Sequence, residues 1–293
     1  MIYTIENDIL ICDIESHGCE VKSVRDKATD REYMWNADPA YWNRTSPVLF
    51  PFVGAVKDKA YLHEGRTYYI GQHGFARDME FAPFSNTDYE IWMELRESEE
   101  TMARYPFRFR LDIGYKLVGR ELHVMWHVIN PADKPMLFSI GAHPGFMLPA
   151  GEDAAFILYD GNGIPVESIK NRVFGEGGCV TDNIDIINTP EGKLPITGHL
   201  FDGDALVLED SQLGCVKIVS EKSKESVVTV KFTSPLVGLW SPPKKNAPFV
   251  CIEPWYGRCD KESFNGELSD REYEQVIKPE GDFRAKYIID FGQ

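Results

Sequence analysis

The chain has no surplus of positive charge, no long apolar run and no paired-cysteine motif, and each absence removes a class of function. Lysine and arginine number 31 against 46 aspartates and glutamates, a formal net charge of −15 over 293 residues. A surface of that sign repels phosphate backbones and anionic headgroups, which excludes nucleic acid and membranes as broad partners. A small anionic ligand held by a few local cations stays compatible with it. The longest nearly apolar stretch, residues 47–56, is far below the roughly 20 residues a membrane helix needs. Residues 1–13 mix charged and apolar side chains without a signal-peptide core, so the expected location is the cytoplasm. The six cysteines (Cys12, Cys19, Cys179, Cys215, Cys251 and Cys259) include no C-x-x-C pair and read as reduced, structurally incidental thiols.

Helical periodicity is also scarce, and alternation takes its place. Phe107, Phe109, Leu111, Ile113 and Tyr115 alternate with Arg108, Arg110, Asp112 and Gly114, which predicts a half-buried strand with one wet face. A turn at residues 118–121 leads into Leu122, Val124, Trp126 and Val128 alternating with His123, Met125 and His127, so the two runs predict an antiparallel hairpin. Similar short runs at 9–14, 66–70, 90–95, 136–140, 205–208, 216–219, 227–232, 236–240, 250–253 and 286–291 predict further strands, punctuated by glycine and proline. Short helices are predicted at 98–104 and 269–276, and residues 149–203 read as loop-rich. The pattern is that of an all-β sandwich or barrel. With no low-complexity linker and no internal repeat, residues 1–293 read as one domain, long enough to bury a core without disulfides or metals.

Three segments place a titratable side chain beside glycine or proline: residues 71–78 around His73, 141–146 around His143, and 251–257 around Glu253. The glycine after His73 lets the chain bend sharply and a ligand approach. Pro144 and Pro254 bias His143 and Glu253 toward extended backbone at strand ends. A carboxylate followed by Trp255 and Tyr256 suits a sugar pocket, where hydroxyls want oriented acceptors and C–H faces want flat apolar surface. Histidine works as acid or base near neutrality. Glycoside cleavage usually needs two flanking carboxyl groups, so two histidines and one glutamate fit milder proton transfer better. His123 and His127 share a strand face, but no third ligand at useful spacing makes them a metal pair.

Taken in order, His73-Gly74, then His143-Pro144-Gly145-Phe146, then Ile252-Glu253-Pro254-Trp255-Tyr256-Gly257, this sequence resembles the aldose 1-epimerase family, and within it the LacX-like branch. The resemblance extends to residues 44–51, 72–78, 105–107, 200–201 with 204–206, and 249–257 followed by Asp260. It implies a large antiparallel β-sandwich of the galactose mutarotase-like kind, the supersandwich, with few short helices. It implies an isomerase of free aldoses such as glucose or galactose. His143 matches the family's general acid toward the ring oxygen, Glu253 the general base on the anomeric hydroxyl, and His73 the second histidine that binds the sugar and steadies charge near the ring oxygen. Asp204 matches the aspartate that holds sugar hydroxyls; no metal and no organic cofactor are implied. One departure is Ala55, which stands where relatives carry a sugar-contacting arginine; Lys57 or Arg77 could supply a compensating cation. Proximity of His143 and Glu253 is expected to leave the first protonated and the second ionised at rest. The alternatives are a carbohydrate-binding or sensing protein on the same fold and a hexose-phosphate mutarotase. Exposed edge strands permit a monomer or a homodimer.

Overall fold

The alternation between residues 107 and 128 becomes the centre of a large sheet. Arg110–Val118 and Glu121–Ile129 pair antiparallel, joined by a tight turn in which Gly119 takes a positive φ of 59°. Leu111, Ile113, Tyr115 and Leu117 are buried as expected. The opposite face is drier than alternation suggests. Asp112 is also buried, held by the Arg110 Nε donor at 2.6 Å, and Gly114 lies under the Trp92 indole, where a Cβ would stand 2.5 Å from the ring.

The computed structural model describes residues 1–292. Two antiparallel sheets dominate it. The nine-stranded sheet runs in the order Lys193–Ile196, Ala154–Tyr159, Cys215–Ser220, Ser226–Phe232, Asp282–Phe291, Glu121–Ile129, Arg110–Val118, Glu90–Arg96, Ala82–Asn86. The second sheet runs Val180–Asn188, Ser168–Phe174, Leu206–Leu208, Leu236–Trp240, Phe249–Tyr256, Ile140–Ala142, Val48–Leu49, with Gly145–Met147 also pairing to Phe249–Tyr256. Ile2–Glu6, Leu10–Glu15 and Glu20–Asp26 form a separate three-stranded sheet. One apolar core takes residues from Ile5 to Phe291. This is the all-β antiparallel architecture expected. Among the described residues no helix is long and apolar enough to cross a membrane, and all six cysteines are free.

Two local expectations change. The helix at 98–104 forms as Glu99–Arg104, capped by the reciprocal Ser98–Thr101 box. The helix expected at 269–276 does not. It shrinks to the 3₁₀ turn Leu268–Asp270, followed by the strand Gln275–Ile277, because Tyr273 adopts a left-handed φ of 62°. The stretch 149–203, read as loop, contains Ala154–Tyr159, Ser168–Phe174, Val180–Asn188 and Lys193–Ile196. Val180–Asn188 is an edge strand with most side chains in water, so it carries no alternation to read.

A buried ionic knot braces the loops around the second sheet. The Arg271 Nε donates to Asp260 Oδ1 at 2.6 Å and its Nη1 to Glu274 Oε2 at 2.7 Å, with Ser139 Oγ donating to the same oxygen at 2.9 Å. Asp260 in turn accepts from the Lys57 N–H and donates its own N–H to the Ala55 carbonyl. Burial pushes the Glu274 carboxyl up to about 7, against the pull of Arg271 and Ser139. Because this value is raised on folding, the carboxyl's contribution to stability is full below about 4.5 and is lost as pH rises through 7. Glu274→Gln is therefore expected to flatten the stability change between those limits by an amount on the order of a few kcal/mol. Chemical denaturation across that range reads it, and identical slopes for both proteins would contradict the assignment.

Candidate active site

Glu253 and Trp255 leave the same face of Phe249–Tyr256, a strand whose residues are buried almost throughout. Trp255 lies across its two neighbouring strands, which both present glycine to it. A Cβ on Gly141 would stand 2.6 Å from the indole, and one on Gly238 would stand 2.4 Å away. Those glycines are what let a tryptophan lie flat beside Glu253. His143 follows directly on Ile140–Ala142, a strand paired with the one that carries Glu253. The two side chains, far apart in sequence, meet with His143 Nε2 and Glu253 Oε2 3.4 Å apart. His73 completes the group, its ring centroid 5.7 Å from that of His143.

His73 is held in an unusual way. It takes a positive φ of 64°, and the following Gly74 one of 70°, so the chain turns tightly there. Its N–H donates to the Gly54 carbonyl at 2.9 Å, and its Nδ1 accepts from the Gly54 N–H at 3.1 Å. An accepting Nδ1 puts the imidazole proton on Nε2, which leaves that edge a donor. Burial, then His143, Arg77 and Arg44, hold His73 well below the usual imidazole range, so it is neutral.

The cavity between these groups is about 50 Å³ and is lined in part by Gln72, Asp204, Phe174, Gly178, Trp240 and Trp255. At roughly 30 Å³ per water that is room for one or two waters, less than a pyranose needs. Phe174 ends the strand Ser168–Phe174 and Gly178 ends the turn after it, which closes over Ala55 so that a Cβ on Gly178 would lie 3.2 Å from the Ala55 methyl. The space an arginine at 55 would use is thus filled by this turn. A much larger groove, about 920 Å³, runs between residues 147–154 and 193–198. It contains none of the three segments singled out, and its Lys193 and Glu221 neutralise each other at 2.8 Å, so the chemistry points to the smaller cavity.

Of the other expected contacts, Asp204 and Trp255 reach the cavity wall. Asp204 uses one oxygen to accept its neighbour's N–H, Ala205, at 2.8 Å, and is otherwise exposed. Arg77 lies beside the site, its Nη2 donating to the Gln72 carbonyl at 2.8 Å. Lys57 does not come to the cavity. The bond from its N–H to Asp260 directs it toward the 258–266 loop, and its ammonium donates to the Phe264 carbonyl at 3.0 Å and Asn265 Oδ1 at 2.8 Å. His123 and His127 are remote strand-face residues paired with Glu121 and Asp282. Two tryptophans not singled out from sequence, and Arg44 of the 44–51 segment, complete the setting. Trp42 stacks on His143 at 4.7 Å and 28°, Trp240 meets it edge-on at 5.2 Å and 84°, and Arg44 donates to the Arg77 carbonyl and to Asp78. Trp42 and Arg44 sit in a loop without periodicity, so no pattern marked the tryptophan. Trp240 ends a strand that alternation did find.

The electrostatics reverse one expectation. Burial holds His143 far below the ordinary imidazole value, at about 3, and Arg77 and Arg44 press the same way. Burial, then Asp204, pushes Glu253 well above the carboxyl range. The Trp255 indole N–H, near enough to favour the carboxylate, makes no well-formed hydrogen bond, and Glu253 Oε2 and His143 Nδ1 are also unpartnered. Attraction across 3.4 Å does not offset removing two charges from water. Both directions favour a neutral imidazole facing a carboxylic acid over the ion pair expected from proximity. Nitrogen NMR of the ligand-free protein is expected to find His143 neutral from about pH 8 down to about pH 5, whereas an ordinary histidine titrates near ~6.5. A His143 midpoint near that ordinary value would contradict the neutral pair.

The family model described as aldose 1-epimerase matches residues 1–272. The chain is 28% identical over 298 residues to the chromosomal LacX protein of Lactococcus lactis subsp. lactis, with 99% of each chain covered. A galactose mutarotase related enzyme from Lactobacillus acidophilus superposes with a TM-score of 0.93 at 34% identity, covering 100% of this chain and 98% of that one. A galactose mutarotase-like protein from Lactobacillus casei gives a TM-score of 0.90 at 28% identity, with 99% of both covered.

Proposed function

The chain belongs to the aldose 1-epimerase family, and on that premise we propose that it interconverts the α and β anomers of a free aldose, an aldohexose such as glucose or galactose, in the cytoplasm. The observation that carries this reading is the facing pair, His143 Nε2 and Glu253 Oε2, 3.4 Å apart at the edge of a cavity. The neutral pair and the imidazolium–carboxylate pair contain the same single mobile proton. A sugar that parts the two side chains offers hydroxyls to both and lowers the penalty on the charged form. The proton then resides on His143, which gives it to the ring oxygen while Glu253 takes the proton of the anomeric hydroxyl. The ring C1–O bond breaks, and the free aldehyde turns about the adjacent C–C bond. Reclosure on its other face runs the two transfers backwards and restores the starting protonation.

The remaining contacts have assignable tasks. His73, whose free Nε2 edge carries the proton, donates to the sugar where charge grows at the ring oxygen. Asp204 accepts from hydroxyls, Trp255 offers its ring beside the reacting centre, and Arg77 stands at the Gln72 side. Metal ions and organic cofactors have no step in this scheme.

A second reading has its own support. Arg77 and Arg44 lie together beside the site and share one carboxylate, Asp78, so two cations face a single anion, and the Arg77 Nε makes no hydrogen bond; this suits a sugar bearing an anionic group such as phosphate. Lys57 is committed elsewhere and would not contribute. The ratio of kcat/KM for glucose 6-phosphate over glucose decides between the two.

Saturation-exchange NMR on the α and β resonances of glucose and galactose tests the reading. Glu253→Gln is expected to lower the exchange rate by about 100-fold to 10,000-fold with its circular dichroism unchanged. Full activity in that variant would end the assignment. Binding of sugar without any exchange by the wild type would leave only a carbohydrate-binding protein.

A further inference from the structure

His143 and Glu253 have a third close neighbour that the proton chemistry leaves unused. Cys251 lies two residues before Glu253 on the strand Phe249–Tyr256, so both side chains leave the same face. Ligand atoms of His143, Cys251 and Glu253 all lie within 4.8 Å of one another, and all three residues are buried. Cys251 packs with Trp35, Ala247 and Phe249. Glu253 Oε2 has no hydrogen-bond partner although its side chain is only 2% exposed.

We propose that this trio is a binding site for a borderline-soft divalent cation of the zinc type, whose occupation reversibly blocks the acid–base pair. One nitrogen, one sulfur and one oxygen form a ligand set that suits zinc and leaves a fourth position for water. Two N or O ligands at 2.0–2.1 Å from a tetrahedral zinc stand about 3.3 Å apart. The 3.4 Å between His143 Nε2 and Glu253 Oε2 already meets that spacing, and the thiol needs a shift of only about 1 Å to close the triangle. Coordination releases the thiol proton and the carboxyl proton to solvent, while the imidazole offers a lone pair. The two anionic ligands then cancel the charge of the ion, which a buried site requires. Size favours the ion as well. His143 and Glu253 line a cavity of about 50 Å³ that has room for the water on the fourth position, with Cys251 behind its wall, whereas a pyranose needs more space than it holds. Magnesium and calcium, which want several oxygen ligands, are poorly served here.

The inhibitory consequence rests on reading His143 and Glu253 as the reacting pair; cation binding does not, so the test separates them. Titration of the reduced, sugar-free protein with CoCl2 is expected to give a thiolate-to-cobalt charge-transfer absorption that ZnCl2 removes. The same band is expected in Cys259→Ala, which lines the cavity but lies outside the trio, and is expected to be absent from Cys251→Ala. Cys251→Ser, closer to cysteine in size, is the second variant should alanine disturb the strand. Anomer exchange is expected to be inhibited by ZnCl2 but not by MgCl2, to recover with EDTA, and to need at least about tenfold more zinc in the Cys251 variants. No band in the wild type, or a band that survives loss of Cys251, overturns the site. A band that depends on Cys251 in a protein that never exchanges anomers upholds the cation site and overturns the catalytic reading.

Discussion

Two ionisable groups 3.4 Å apart in a spot almost without water can hold one proton between them comfortably, but not two opposite charges. That constraint shapes the site. Left in water, Glu253 and His143 would each titrate near its ordinary value. Burying them removes the solvation of both charged forms, and the pair relaxes to its neutral arrangement. Such a pair is poised, because any polar guest that supplies hydrogen bonds moves it toward the charged arrangement without adding or removing a proton. His73, neutral and locked by the Gly54 backbone, contributes a fixed donor edge to this balance and no competing charge.

The fold supplies that environment by packing rather than by local chemistry. Glycine at 141 and 238 lets Trp255 lie across the strands and wall the cavity beside Glu253. Trp42 and Trp240 enclose His143 from two further directions. Behind the wall, Arg271 joins Asp260 and Glu274, and Asp260 holds both the Ala55 carbonyl and the Lys57 amide. The loop that locks His73 is thereby tied to the loop that follows Trp255. The 174–178 turn closes over Ala55, with Gly178 against its methyl group.

Much of this was legible in the sequence, for identifiable reasons. The hairpin at 110–129 was readable because one of its faces is buried, so its apolar residues alternate. His143 and Glu253 could be singled out because each precedes a proline and each belongs to a segment whose order follows a known pattern, although only His143 sits at a strand end and Glu253 lies within Phe249–Tyr256. What depends on space was not legible. Trp42 lies in an irregular loop, and nothing in its neighbourhood hints that it stacks on His143. Lys57 is adjacent to the right segment in sequence, yet the Asp260 contact turns it away. The 269–276 helix failed on the backbone conformation of one residue, Tyr273, and the 180–188 strand was hidden by its exposed edge position. Proximity in the sequence reading predicts an ion pair, whereas burial favours the neutral pair, because a sequence gives the partners of a charge but not the dielectric around them.

If His143 and Glu253 pass a single proton as one device, their losses must not be independent. A double-variant cycle read by anomer-exchange NMR tests this most directly, using His143→Ala, Glu253→Gln and both together. The account predicts that the double variant exchanges no more slowly than the worse of the two single variants. Losses that multiply would show two side chains acting separately, and would contradict a shared proton as the basis of the site.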